Sequence, residues 1–154
     1  MKIKIVDIAN QLELSLGTGD SYLNKTTGEL YYITHDIFGY IDSSEQGDTF
    51  ENLPDWERDL VMVAKGINET GNYLRLPSTY ELNEYGMMEK FCLSINDERF
   101  RDELYSVIKG SGAFRRFKDC IYQHAVEKDW FEFKRNELVS VALDWCKANE
   151  IEFE

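Results

Sequence analysis

The stretch YLNKTTGELYYIT, Tyr22 to Thr34, decides whether this chain is all-helical or mixed. Two runs rich in tyrosine, leucine and isoleucine flank Asn24-Lys25-Thr26-Thr27-Gly28. Such residues suit a pleated, half-buried surface, and Gly28 can take the positive φ that a hairpin loop of this length demands. The stretch therefore predicts a β-hairpin. Upstream, KIKIV (2–6) alternates polar and apolar residues as a half-buried strand does, and DIANQLEL (7–14) sets Ile8 and Leu12 four apart on a short helix. Downstream, NYLRLP (72–77) alternates Tyr73 and Arg75 against Leu74 and Leu76, a short strand stopped by Pro77.

The remaining periodicity is helical. His35 to Ile41 has a weak helical pattern, and Ser43 to Leu53 is polar and acidic, which predicts a mobile loop. Pro54 opens a helix that carries Trp56, Leu60, Val63, Ala64 and Ile67 inward. Ser78 and Glu81 form an S-x-x-E capping box for a helix presenting Leu82, Tyr85, Met88 and Cys92. Asn96 caps the next, with Phe100, Leu104, Val107 and Ile108 on its inner face, and Gly110 and Gly112 end it. A further helix from Ala113 buries Phe114, Phe117, Ile121 and Ala125. The last, after EKDW (127–130), buries Leu138, Val141, Ala142, Trp145 and Cys146. The expected fold class is α+β: a single domain over 1–154, with a small N-terminal antiparallel sheet packed on a mainly helical C-terminal part and a mobile acidic loop near 43–53.

Composition narrows the function classes. With 43% hydrophobic and 14% aromatic residues, the 154-residue chain can build a core. Seventeen Lys and Arg stand against twenty-nine Asp and Glu, a formal net charge of -12, so the molecule as a whole repels polyanions and anionic lipid. The opening residues meet Asp7, Asn10, Gln11 and Glu13 instead of the apolar run of a secretory signal, and no stretch approaches the roughly 18 apolar residues of a membrane span. A cytoplasmic protein without membrane contact is expected. Cys92, Cys120 and Cys146 include no CxxC pair, which argues for reduced core thiols and against a disulfide framework or a zinc site.

One segment opposes the overall charge. KGSGAFRRFKD, 109 to 119, gathers Lys109, Arg115, Arg116 and Lys118. Phe114 and Phe117 would anchor the helix inward and leave a cationic ridge outside. The ridge could pair with the protein's own acids, Asp119 being four residues from Arg115 and three from Arg116; it could dock a protein partner; or it could bind nucleic acid or phosphate. The glycine spacing lacks the G-x-x-x-x-G-K-[ST] nucleotide pattern. Arg115, Arg116, Lys118, Lys109 and Trp130 are the candidate binding residues. Among other candidates, Glu81, Glu84 and Glu89 read as surface carboxylates. With only His35 and His124, a histidine-rich metal site is excluded and each histidine reads as a hydrogen-bonded edge residue. Trp130, Phe131, Phe133, Trp145, Tyr31 and Tyr32 read as core filling before a base-stacking platform.

The segments SYLNKTTGELYYI, LRLPSTYELNEYGMMEKF and GSGAFRRFKD, followed by DWFEF and ALDWC, resemble an uncharacterised bacterial protein family of cytoplasmic proteins with no assigned activity. The octet GAFRRFKD, 112 to 119, is the most specific piece. The resemblance implies bacterial origin and a single-domain architecture, and it brings no chemistry with it. The expectation is a non-enzymatic cytoplasmic binding or regulatory module that engages a protein partner, with no catalytic residue, cofactor or metal. The alternatives are RNA or single-stranded DNA binding through the 109–118 ridge, and a small enzyme of unknown reaction.

Overall fold

A computed structural model describes residues 2–14, 17–44 and 49–154. Their elements run α1 (Ile5–Glu13), β1 (Gly19–Asn24), β2 (Leu30–Thr34), α2 (His35–Asp42), α3 (Asp55–Glu69), β3 (Tyr73–Arg75), α4 (Thr79–Leu82), α5 (Glu84–Ser94), α6 (Glu98–Val107), α7 (Ala113–Gln123) and α8 (Glu127–Ala148). The fold is α+β, a three-stranded antiparallel sheet with many helices. Two compact units are formed, one from 1–81 with 142–154 and the other from 82–141.

In the first unit the hairpin forms as expected. β1 is the central strand of the order β2-β1-β3, with Tyr22 opposite Tyr31 on one side and Leu23 opposite Leu74 on the other. Gly28 has φ +80°. The loop is organised by the buried Asn24, whose side-chain oxygen accepts from the Thr26 N–H at 2.8 Å, the Thr27 N–H at 3.2 Å and the Asn72 amide at 2.9 Å. An asparagine that folds back on the following N–H groups shapes its own turn, and here the same oxygen ties the hairpin to the approach to β3. Ile33 then packs with Ile37 of α2, Val61 and Ala64 of α3, and Phe50. Phe50 is thus an anchor within the stretch expected to be a mobile loop; residues 45–48 of that stretch lie outside the described residues.

Three local expectations are corrected. KIKIV is not a strand: α1 begins at Ile5, and only Ile3 makes an isolated parallel bridge to Phe153. Ile5, Ile8, Ala9 and Leu12 already share helical spacing and are buried together, so the 3.6-residue period extends back through the apparent alternation. Trp56 is 66% exposed. The buried stripe of α3 centres on Val61 and Ala64, and at about 100° per residue Trp56 stands about 110° from that centre. Val141 and Trp145 are only half-buried on α8, where Leu138, Ala142 and Cys146 are fully buried. The Trp145 indole donates to the Arg75 carbonyl at 3.2 Å.

The second unit is helical with an aromatic core. Phe91, Phe117 and Trp130 meet edge to face, with ring centroids 4.8 to 6.2 Å apart. Such offset pairs add to the area they bury. At the end of the first unit's long segment the capping box forms, since Ser78 Oγ accepts from the Glu81 N–H at 3.2 Å and the Glu81 carboxylate accepts from Ser78. The helix it starts lasts one turn. Asn83 adopts φ 51° and its side chain accepts from the Gly86 N–H at 3.1 Å, capping a new helix, α5. Asp97 caps α6, one residue after the expected Asn96, by accepting from the Phe100 N–H at 3.1 Å. α7 ends at Gln123, where Ala125 turns left-handed at φ 55° and the Val126 N–H reaches the Ile121 carbonyl at 3.0 Å, so Ala125 is exposed instead of buried.

Candidate functional site

The buried stripe of α7 consists of Ala113, Phe117, Cys120 and Ile121. About 100° per residue places Phe114 and Arg116 on opposite flanks of that stripe, while Arg115, Lys118 and Tyr122 stand on the far side. Phe117 is accordingly 1% exposed, and Phe114, expected to anchor the helix beside it, is 47% exposed. One phenylalanine holds the helix; the other faces outward.

The four cations have three different fates. Arg116, on the flank nearest the end of α6, turns its guanidinium onto backbone carbonyls. Its Nε donates to Val107 O at 2.8 Å, and its two terminal nitrogens donate to Ser111 O and Lys109 O. Those oxygens belong to the end of α6 and the turn after it, where carbonyls lack helical partners and carry the negative end of the helix dipole. Tyr85 completes the set by donating to Ile108 O at 2.8 Å. The approach is close, since a Cβ added at Gly112, which has φ +78°, would lie 3.0 Å from the Arg116 Nη1. Lys109 lies over the Tyr105 ring, its ammonium 3.9 Å from the centroid, and its pKa is raised first by its contact with the Tyr105 side chain. Arg115 and Lys118 are exposed. Neither forms an ion pair with Asp119 or any other acid among the described residues. The partner of Arg116 is therefore a helix end, and not the protein's own acids, the first of the three alternatives for the ridge. Trp130, included among the binding candidates, is 3% exposed and packs against Phe91 and Phe117; its neighbour Phe131 is exposed.

The outer face of α7 thus carries Phe114, Arg115, Lys118, Asp119 and Tyr122, the last 74% exposed.

Two of the three carboxylates read as surface groups, Glu81 and Glu84, are engaged by basic side chains. Glu81 is bound by Ser78 and by Arg75 at 2.8 Å, which hold its carboxyl below the usual glutamate range, Arg75 contributing most. Glu84 pairs with Lys134 at 2.9 Å. His35 is exposed, with its Nε2 4.0 Å from Asp20. The cysteines are buried as expected, and burial pushes the Cys92 thiol up to about 11.

His124 is different. At the end of α7 its Nε2 lies 3.3 Å from Glu103 Oε1, its ring lies against Phe100 with centroids 4.3 Å apart, and Glu103 also accepts a long contact from the Cys120 thiol at 4.0 Å. Burial first, and then the Glu103 charge, raise the pKa of that thiol. The three donor atoms lie within 4.8 Å of one another. Counting cysteines and histidines as separate inventories missed this group; Cys120 and His124, four apart on one helix, were the available signal.

The chain belongs to the uncharacterised protein family UPF0158, whose family model matches residues 1–154. Neither a curated protein nor a solved structure matches the chain. No helix among the described residues is long and apolar enough to cross a membrane.

Proposed function

We propose that this protein is a non-enzymatic binding module, bacterial and cytoplasmic in setting, that engages an acidic segment of a partner protein through the outer face of α7. The observation that supports the reading is the split within the cation cluster. Arg116 is engaged by carbonyls, whereas Arg115 and Lys118 stand exposed, without an ion pair among the described residues, beside the exposed rings of Phe114 and Tyr122. In a chain of net charge -12, the two cations of that face outnumber its one acid, Asp119. At physiological ionic strength charges more than about 8 Å apart are largely screened, so an approaching segment responds to the two nearby cations more than to the distant acids. The guanidinium can take a carboxylate bidentately, and the rings can cover its apolar neighbours.

Nucleic acid is the weaker fit. Its affinity grows with the number of phosphates neutralised, and this face offers only Arg115 and Lys118 for that purpose.

The test is fluorescence anisotropy of the full chain with a labelled peptide of alternating glutamate and leucine, run beside a labelled single-stranded RNA. The peptide is expected to bind, and Arg115→Glu with Lys118→Glu is expected to weaken it by at least about tenfold, about 1.4 kcal/mol, with the thermal midpoint unchanged. No peptide binding, or equal binding by the double variant, refutes the reading. RNA binding that is lost in the double variant replaces it with the nucleic-acid alternative.

A further inference from the structure

We propose that Glu103, Cys120 and His124 form a zinc site with three protein ligands and one open position. This goes beyond the α7 outer face and does not depend on it. Tetrahedral zinc, with bonds of about 2.0 to 2.3 Å to oxygen, nitrogen and sulfur, sets its donors about 3.3 to 3.7 Å apart. The carboxylate-to-imidazole distance, 3.3 Å, already meets that requirement, and the carboxylate-to-sulfur distance, 4.0 Å, exceeds it by a few tenths of an ångström. The widest of the three separations is no more than 4.8 Å, and coordination would draw its two atoms about 1 Å closer.

The scaffold is built for such a group. Cys120 and His124 leave α7 on one face four residues apart, and Glu103 faces them from α6. The Arg116 clasp fixes the turn between the two helices, and Phe100 backs the imidazole. Glu103 and His124 also line a cavity of about 300 Å³ shared with Asp97, Arg99 and Phe100. A fourth ligand such as water would reach the ion from that cavity, on the side of Glu103 and His124. One thiolate, one imidazole and one carboxylate suit a borderline-soft ion such as zinc and disfavour calcium and magnesium, which require more oxygen ligands. On binding, a metal–sulfur bond forms and the thiol proton passes to solvent.

Cobalt(II) serves as the probe, because it adopts the same geometry and is coloured. Titrated into the reduced full chain, it is expected to give one equivalent of a species with intense visible bands of tetrahedral cobalt and a thiolate-to-cobalt charge-transfer band, both abolished by zinc. Cys120→Ser is expected to remove the charge-transfer band, while Cys92→Ser and Cys146→Ser, which leave the three ligands intact, retain it. Because Cys120 is buried, the exposed ligands give an independent check: Glu103→Gln and His124→Gln are each expected to weaken zinc more than about a hundredfold, beyond the loss seen for outer-sphere partners, with unchanged midpoints in chelator. Only weak octahedral bands, a charge-transfer band that survives Cys120→Ser, or unaltered zinc affinity in the Glu103→Gln and His124→Gln variants would overturn the assignment.

Discussion

Arg116 illustrates how one side chain can be taken out of a binding surface by its position on a helix. Standing about 85° from the centre of the buried stripe, it reaches sideways to the end of α6 while Arg115, one residue earlier, faces water. A planar fork of donors serves several carbonyls at once, and a lysine ammonium lacks that shape. Arg116→Ala is expected to lower unfolding free energy by about 1 to 2 kcal/mol, near the low end for hydrogen bonds to a charged group because the residue is half-exposed. Arg116→Lys should recover only part of this, and Arg115→Ala should stay within about 0.5 kcal/mol of the parent. Urea unfolding at constant m-value measures all three. Equal effects at 115 and 116 would contradict the division between them.

At the scale of elements, most helices and the hairpin were legible because their periods and turn residues agree: Gly28 at the loop, Ser78 with Glu81 at a helix start, and Leu138, Ala142 and Cys146 along α8 are places where pattern and packing coincide. What was not legible were boundaries and faces set by tertiary competition. KIKIV fits two periods, and burial of Ile5 with Ile8, Ala9 and Leu12 selects the helix. Phe114 sits at a stripe edge and Trp56 well outside its stripe, and apolar character alone does not decide between core and solvent. The break at Asn83 is a side-chain device, since an asparagine tolerates the left-handed region and caps the next helix at once. Asn83→Ala loses both, and is expected to cost about 2 kcal/mol in denaturant unfolding, whereas Asn83→Gly should cost well under half of that. The candidate site was half legible. The 109–118 segment was singled out by its charge, but the assignment of each cation depended on where the end of α6 lies, which no local pattern records.

For the whole molecule, the surplus of acid and the cationic face of α7 act over different distances. The net charge of -12 works against any acidic partner at long range, while Arg115 and Lys118 act at contact. Raising salt from about 0.1 M to 1 M shortens the Debye length from about 10 Å to 3 Å and weakens exposed pairs. Peptide affinity is therefore expected to fall over that range, but not to zero, because the Phe114 and Tyr122 contacts are apolar and unscreened. A salt-independent affinity would remove the role given to the cations. The most direct measurement is amide chemical-shift mapping of the isotopically labelled chain during titration with the glutamate–leucine peptide. Shifts concentrated at Phe114, Arg115, Lys118 and Tyr122, with the Arg116 side-chain N–H left in place, are the expected result. Shifts centred elsewhere in the molecule, or release of the Arg116 guanidinium from the end of α6 on binding, would contradict it.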